Sequence, residues 1–224
     1  MKIILYCLLI PLLITGCEVD NYEAPSLTLT GRIVDSQTGE LVESGGVNAG
    51  SLVKLYQDNS SQPLILKTFP DGTFTNTRLF AGNYSYVAEG AFEMATANPP
   101  PLVVDKDMTL EIEVIPHVRV KTELTEVGET SARVRLSFQT LPADKDLTQV
   151  AVMWSTYPNP NNFTFEGGGI QVENIESPDL SEGEREFQIE GLEPGTKYYL
   201  RGSALAVNEG NYYNYSPQLE LETK

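Results

Sequence analysis

Residues 131–139 read Ser131-Ala132-Arg133-Val134-Arg135-Leu136-Ser137-Phe138-Gln139, and this stretch decides the fold of the 224-residue chain. Every second residue from Ala132 to Phe138 is apolar, and the residues between them are polar or charged. Because successive side chains of a β-strand point to opposite faces of the sheet, this alternation predicts a strand with one buried and one solvated face. Such half-buried strands are typical of antiparallel sheets.

The same alternation recurs after residue 26, with turn-forming Gly, Pro, Asn and Asp residues between the runs. The alternating apolar positions are Leu110, Ile112 and Val114, then Val150, Val152 and Trp154, then Phe187 and Ile189, and finally Leu219 and Leu221. No segment carries the apolar period of an amphipathic helix over a dozen positions. The sequence therefore predicts an all-β chain.

The alternating runs form two groups that meet near Ile115-Pro116-His117. Proline cannot donate to a sheet ladder, so it fits a junction better than the interior of a strand. Each group has the length of a small sandwich. We expect two tandem antiparallel β-sandwich domains, at residues 27–116 and 117–224.

The N-terminal group contains five predicted strands. They are Leu27–Asp35, Ser51–Tyr56, Pro63–Phe69, Thr73–Thr77 and Asn83–Ala88. Pro70-Asp71-Gly72 separates the third strand from the fourth, and an Asp-Gly pair between two strand runs is typical of a hairpin. The Gly-rich connection at residues 43–50 is expected to be a surface loop.

Short motifs in this group resemble the carboxypeptidase-regulatory, transthyretin-like sandwich domains. They are Gly31-Arg32-Ile33-Val34-Asp35 with Thr38-Gly39-Glu40, Val53-Lys54-Leu55, Asp71-Gly72-Thr73-Phe74 and Leu79-Phe80-Ala81-Gly82-Asn83-Tyr84. The resemblance covers most of residues 31–84 and implies a sandwich of that kind at residues 27–116.

The C-terminal group resembles a fibronectin type III domain over Ile189-Glu190-Gly191-Leu192-Glu193-Pro194-Gly195-Thr196-Lys197-Tyr198. The resemblance implies a tyrosine corner, in which the Tyr198 hydroxyl bonds back to the turn before it. It places Tyr198, Leu200, Gly202 and Ala204 on the core face, with Tyr199 and Arg201 outside. One departure is Trp154, which falls in the third predicted strand of this domain and not in the second.

The N-terminus is typical of a secretory signal. Met1-Lys2 is followed by the apolar residues Ile3–Ile14, a run too short to span a bilayer. It ends at Ile14-Thr15-Gly16-Cys17, which resembles the bacterial lipobox. The resemblance implies a signal peptide at residues 1–16, lipid on Cys17 and a lipidated tether at residues 17–26. An ordinary secretory signal that ends near a cysteine is the alternative.

A lipobox followed by these two sandwiches resembles a family of Bacteroidetes-type surface lipoproteins, which are commonly encoded beside starch-utilisation-like glycan uptake systems. The resemblance implies a lipid-anchored protein of the outer membrane. The acidic residues after Cys17 resemble the export signal of such surface lipoproteins, and this resemblance favours the cell-surface face over the periplasmic face. The implied partners are a polysaccharide or an outer-membrane uptake complex, with membrane contact through the lipid anchor only.

The composition weighs against several classes of function. The chain has 31 Asp and Glu residues against 15 Lys and Arg residues, a formal charge of −16, whereas nucleic-acid phosphates reward the opposite balance. It has one histidine, and its two cysteines are Cys7 in the predicted signal and Cys17. Sequence motifs of a nucleophile elbow, a phosphate-binding loop or a zinc protease are absent. We therefore expect no nucleic-acid partner, no catalytic residue, no metal and no cofactor.

Two segments combine aromatic residues with asparagine, at residues 154–165 and 208–215. Aromatic rings can stack on the apolar faces of sugars, and asparagine supplies donors and acceptors for hydroxyl groups. The candidate ligand-binding residues are Tyr212, Tyr213, Asn211, Asn214 and Tyr157. Core or edge packing is the alternative for Trp154, Phe163 and Phe165. The two segments are expected to emerge at opposite ends of the sandwich, and therefore not to form one site.

These observations favour a non-enzymatic cell-surface lipoprotein that binds glycan or assists a polysaccharide uptake system. The alternative is a structural spacer or protein-interaction, adhesin-like module that docks to an outer-membrane complex through an exposed sheet edge. A glycoside hydrolase is a third hypothesis. It would need two carboxylates ~5–10 Å apart in a cleft, whereas the acidic residues here fall on outward strand positions and turns.

Overall fold

The structure is a computed structural model that describes residues 23–46, 48–58, 60–141, 145–176 and 180–224. The predicted signal peptide at residues 1–16 and the predicted lipid site Cys17 lie outside these ranges. Within them, no helix has the length and apolar character that a membrane crossing would need. All the regular elements in these ranges are strands, so the prediction of an all-β chain is confirmed.

The first eight strands form two four-stranded sheets that pack face to face. The strands are β1 (Leu27–Asp35), β2 (Leu52–Gln57), β3 (Leu64–Lys67), β4 (Thr73–Leu79), β5 (Gly82–Glu89), β6 (Phe92–Met94), β7 (Leu102–Val104) and β8 (Met108–Pro116). One sheet has the order β4-β1-β8-β6, and the other has the order β3-β2-β5-β7. Strands β1 and β8 pair in parallel, and the other neighbours pair antiparallel.

The core of this N-terminal sandwich is made by the inward members of the alternating runs. Leu110, Ile112 and Val114 of β8 are all buried, as their pattern predicts. They meet side chains of the opposite sheet such as Val53 and Leu55, which are at most 1% exposed. The cluster draws its buried residues from positions 29 to 114.

The prediction that Pro70-Asp71-Gly72 joins two paired strands in a hairpin is wrong. A tight turn does form there, in which the Gly72 N–H donates to Phe69 O and the Phe69 N–H donates to Thr73 O. Beyond the turn the strands separate, because β3 pairs with β2 while β4 pairs with β1 in the opposite sheet. The local Asp-Gly signal determines the turn, but the burial of both sheets' inner faces determines which strands pair.

The last eight strands form the C-terminal sandwich. They are β9 (Val118–Val127), β10 (Ser131–Thr140), β11 (Leu147–Ser155), β12 (Gly169–Asn174), β13 (Glu182–Glu190), β14 (Lys197–Ala206), β15 (Asn214–Tyr215) and β16 (Leu219–Glu222). One sheet has the order β13-β10-β9, and the other has the order β12-β11-β14, with β15 and β16 both paired to β14. The prediction of two tandem, largely antiparallel sandwiches is confirmed by the two sheet pairs, each with its own core.

The C-terminal core follows the predicted alternation on its inner faces. Ala132, Val134, Leu136 and Phe138 of β10 are at most 3% exposed, and Trp154 packs against the same core. The Tyr198 hydroxyl accepts a hydrogen bond from the Glu193 N–H at 3.1 Å, so the predicted tyrosine corner is present. On β11 the alternation fails, because Ala151 and Met153 are as deeply buried as their inward neighbours. The outer face of this sheet is therefore covered.

Candidate functional site

The outer face of β14 lies against the N-terminal sandwich. Arg201 was expected to point to solvent, and that prediction is wrong, because its side chain is 0% exposed. Its guanidinium donates from Nε to Ser216 O, from Nη1 to Ser44 O at 3.0 Å and from Nη2 to Glu43 Oε2 at 3.0 Å. It also lies 4.6 Å from the centre of the Tyr215 ring. A polar residue on an outward strand position is thus covered by a second domain and not by water.

The residues that cover Arg201 come from the connection between β1 and β2. We call residues 43–46 the interface loop. The prediction that residues 43–50 form a surface loop is wrong for its first part, since Ser44, Gly45 and Gly46 are buried. Close packing at Gly50 and a positive φ at Gly46 explain why glycine occurs at these two positions. A Cβ on Gly50 would lie 1.9 Å from the Ser44 Oγ, and Gly46 has a φ of +78°.

Ser44 fixes the shape of the interface loop. Its hydroxyl oxygen accepts hydrogen bonds from the Ser51 N–H at 3.1 Å and from the Thr68 hydroxyl at 2.8 Å. Its carbonyl is thereby aimed across the domain boundary at Arg201. The loop therefore joins the N-terminal core to the outer face of the C-terminal sheet.

Burial at this boundary changes the acid–base behaviour of Glu43. Only 16% of its side chain is exposed. Burial raises the pKa of Glu43 to about 7, while Arg201 acts in the opposite direction and Asp71 adds to the rise. Burial also lowers the pKa of Arg201, but an arginine side chain is not deprotonated in proteins, so Arg201 remains a cation.

The pKa of Glu43 predicts a pH dependence of stability. The ordinary value is 4.5, so between pH 4.5 and about 7 the folded protein holds a proton that the unfolded chain has released. This contribution to stability is fully present below pH 4.5 and is lost as the pH rises through 7. We expect the free energy of unfolding to fall over this window by up to ~3 kcal/mol more than in the Glu43→Gln variant. Urea denaturation of both proteins from pH 4.5 to 8 measures the difference, and parallel profiles would contradict it.

Asn214, a predicted ligand residue, is 2% exposed at the same boundary. Its Oδ1 accepts a hydrogen bond from the Val118 N–H at 2.9 Å, and its Nδ2 donates to Ala91 O at 2.9 Å. The amide group thus spans both sandwiches and is occupied by backbone partners. Burial and these two bonds remove Asn214 from the predicted contact surface.

The two aromatic segments come into contact, contrary to expectation. Phe163 lies edge-on to Tyr213, with ring centroids 6.2 Å apart and an interplanar angle of 83°. Tyr213 in turn lies 6.4 Å from the buried Tyr215. We call these three residues the aromatic row. The segments do leave the sheet at opposite ends, but the long connection from β11 to β12 folds back and the Asn162 N–H reaches the Tyr215 hydroxyl.

The exposed end of the aromatic row is Phe163, at 69% exposure. Tyr213 is half-buried behind it, and its hydroxyl donates to Gln149 Oε1 at 3.2 Å. Burial raises the pKa of Tyr213 modestly and that of Tyr215 to about 12, so both are neutral phenols at physiological pH. The row therefore presents an apolar ring supported by oriented hydroxyl groups.

The other predicted contact residues are arranged around this row. Asn208 holds the backbone of Tyr212 through two hydrogen bonds, and Asn211 is exposed in the turn between them with a φ of +50°. In the N-terminal sandwich, the hydrogen bond to Glu89 raises the pKa of Lys54 most, and Tyr56 and Tyr212 add to the rise.

Tyr157 lies apart from these residues. It is 62% exposed and follows β11, whereas Tyr213 bonds to Gln149 near the opposite end of that strand. Six residues of strand separate Gln149 from Ser155, which corresponds to ~20 Å. The structure thus brings Tyr213 together with Phe163, and leaves Tyr157 at the other end.

A cleft of about 530 Å³ opens where the two sandwiches meet, with Glu43 in its wall. Sequence reasoning did not find Glu43 or Arg201 as site residues, because neither lies in a motif and their meeting depends on domain packing. No group of three or more His, Cys, Asp or Glu side chains within the described ranges is arranged to hold a metal ion.

No protein-family model and no curated protein matches this chain. Among solved structures, a DUF3823 family protein from Bacteroides uniformis has a TM-score of 0.75 at 19% identity, over 89% of this chain and 100% of its own. A candidate carbohydrate-binding protein from the same species has a TM-score of 0.72 at 22% identity, over 88% and 99%. A DUF3823 family protein from Parabacteroides merdae has a TM-score of 0.71 at 19% identity, over 89% and 100%. This chain therefore shares the fold of these Bacteroides and Parabacteroides proteins over nearly their whole length.

Proposed function

We propose that this protein is a non-enzymatic carbohydrate-binding or accessory protein, and that the aromatic row is its contact surface for glycan. The observation that carries the proposal is the 69% exposed Phe163 ring, held edge-on against Tyr213. A flat apolar ring offers a stacking surface for the C–H face of a sugar. The neighbouring Tyr213 hydroxyl and the Gln149 amide supply donors and acceptors for its hydroxyl groups.

The rigidity of the row supports a binding role. Asn161 Nδ2 donates to Gly45 O of the N-terminal sandwich, which fixes the base of the loop that carries Phe163. Its Oδ1 accepts hydrogen bonds from the Phe163 and Thr164 N–H groups at 2.9 and 3.0 Å. A preorganised loop loses little conformational entropy on binding. One solved structure with this fold is a candidate carbohydrate-binding protein, which is consistent with the proposal.

The proposed setting is the cell surface. The Cys17 lipid site and the tether at residues 17–26 would anchor the protein to the outer membrane, where multiple acyl chains give durable attachment. The formal charge of −16 opposes close contact with anionic lipid. We propose that the sandwiches stand away from the membrane and meet a polysaccharide, or an uptake complex that carries one.

Binding to a panel of plant and host polysaccharides by calorimetry tests the proposed function. We expect at least one polysaccharide to bind, and Phe163→Ala and Tyr213→Ala each to weaken that binding by about five- to tenfold, the equivalent of ~1–1.4 kcal/mol. Phe80→Ala is the matched control, because Phe80 is a 45% exposed phenylalanine of the N-terminal sandwich. Equal weakening by Phe80→Ala, or no binding to any polysaccharide, would contradict the assignment.

A protein-interaction module is the second candidate function. The edge strand β3 exposes Leu64 and Ile65 at 41% and 51%, and the same sheet exposes Val87 and Val103 on its outer face. An apolar edge with unpaired backbone groups can accept a strand from another protein. Cross-linking on intact cells, with a charged Ile65→Lys variant as the comparison, separates a protein partner from a glycan ligand.

A further inference from the structure

The cleft between the sandwiches has the size of a small-ligand site. Its volume of about 530 Å³ falls within the ~300–1,000 Å³ of such sites, which occur preferentially at domain interfaces. Both domains contribute to its walls. The residues that matter here are Leu41, Glu43, Arg119, Lys121, Tyr215 and Leu219.

One part of the wall is apolar. Leu41 is 40% exposed and lies on the same wall as Glu43, and the C-terminal side presents the half-buried Leu219 beside the buried Tyr215. An exposed leucine in a concave site gains by contact with the apolar face of a ligand. These groups could therefore pack against the C–H face of a ring.

Some polar atoms of the cleft wall are bound to other residues, and others are left to bind a ligand. Glu43 Oε2 accepts from Arg201, and no described residue donates a hydrogen bond to the other carboxylate oxygen. Arg119 is engaged by Asp35 and Gln37. Lys121 is exposed at the rim and forms no salt bridge with any described residue. The cleft thus offers at least one acceptor and one donor to a ligand with hydroxyl groups.

The charges around the cleft nearly balance, although the protein as a whole carries −16. Three acidic and two basic residues line the cleft, and a third basic residue lies directly behind Glu43. The acidic residues are Asp35, Glu40 and Glu43, and the basic residues are Arg119, Lys121 and the buried Arg201. Because the pKa of Glu43 is about 7, the net charge of these six groups lies between zero and +1 near neutral pH. Such a site attracts ions only weakly, so its shape and hydrogen bonds favour an uncharged ligand.

From this geometry we propose that the interdomain cleft binds a neutral saccharide of one or two rings, at a site distinct from Phe163. The ligand class rests on the proposed function, while the location rests on the cleft itself. Tyr215 belongs both to the aromatic row and to the cleft wall.

Methyl NMR with leucine and valine labelling tests the site, using glucose, galactose, mannose, N-acetylglucosamine, maltose and cellobiose as probes. We expect at least one sugar to shift the methyl signals of Leu41 and Leu219. Leu41→Trp fills the cleft and should weaken this binding by about tenfold or more. Leu64→Trp is the matched control, since Leu64 is 41% exposed on the edge strand and Leu41 is 40% exposed, and it should leave the affinity unchanged.

The Phe163→Ala variant separates this site from the aromatic row. Sugar-induced shifts at Leu41 that persist in Phe163→Ala support the cleft, even where polysaccharide binding to the row fails. The cleft site is overturned, and the proposed function stands, if no sugar shifts the Leu41 signals and polysaccharide binding is lost in Phe163→Ala but unaffected by Leu41→Trp. Equal losses in Leu41→Trp and Leu64→Trp, or comparable shifts with glycine or acetate, also overturn the cleft site.

Discussion

Replacing Arg201 with methionine is expected to lower the free energy of unfolding by ~3–5 kcal/mol, the usual cost of removing one partner from a buried ion pair. The substitution keeps much of the side-chain volume but removes every donor. It leaves Ser44 O and Ser216 O without the hydrogen bonds that Arg201 donates, and Glu43 without its countercharge. Urea denaturation at pH 8, above the Glu43 pKa of about 7, measures the loss with the ion pair formed in the parent protein.

The same substitution should uncouple the two sandwiches. Each has its own hydrophobic core, and Arg201 links the interface loop to β14. We therefore expect the Arg201→Met protein to unfold in two steps, seen as different midpoints for probes in the two domains. The control is Arg135→Met, because Arg135 is 38% exposed and its ion pairs lie on the surface, where such pairs contribute ~1 kcal/mol or less. An Arg201→Met protein as stable as Arg135→Met would contradict the role given to Arg201.

Glu43→Gln provides an internal comparison for this pair. It leaves the guanidinium charged, yet Ser44 O, Ser216 O and Pro70 O still surround that charge. Removing the carboxylate should therefore cost less than removing the arginine. The reverse order would show that the carboxylate is the main partner of Arg201.

The sequence could predict the parts of the fold that depend on local pattern. Alternation in β10 gave the buried face correctly, and the span of β1 agrees with its predicted range of Leu27–Asp35. The tyrosine corner was also predictable, because the residues that form it lie within one turn. In each case, the information that determines the structure is contained in a few consecutive residues.

The candidate site could not be predicted in the same way. Alternation divides residues into those that face the core and those that face away, but it cannot distinguish solvent from a second domain. Arg201, which the fibronectin-type alternation places outside, and Asn214, which the Tyr/Asn segment predicts as a ligand contact, are both buried at the domain boundary. Likewise, a loop's sequence does not show that it folds back over a sheet, which is how Phe163 reaches Tyr213.

Asn214→Ala is expected to lower the free energy of unfolding by ~2–3 kcal/mol, since it removes two hydrogen bonds and leaves a buried donor unsatisfied. The unsatisfied group is the Val118 N–H, which donates to Asn214 Oδ1. Ala91 O retains the hydrogen bond from the His117 N–H, so the cost falls on one buried group and not on two. Thermal and urea denaturation of the variant measure this effect.

Asn211→Gly is the matched comparison, because Asn211 is the other predicted ligand asparagine and lies three residues away. It is exposed with a φ of +50°, a conformation that glycine adopts without strain. Its replacement should change stability by no more than ~0.5 kcal/mol. If Asn214→Ala instead left stability unchanged and abolished glycan binding, Asn214 would be a ligand contact and the interdomain role derived from its two backbone partners would be incorrect. Loss of stability in Asn214→Ala but not in Asn211→Gly supports the interdomain role, since of these two asparagines Asn214 is the one whose side chain bonds to backbone groups of both sandwiches.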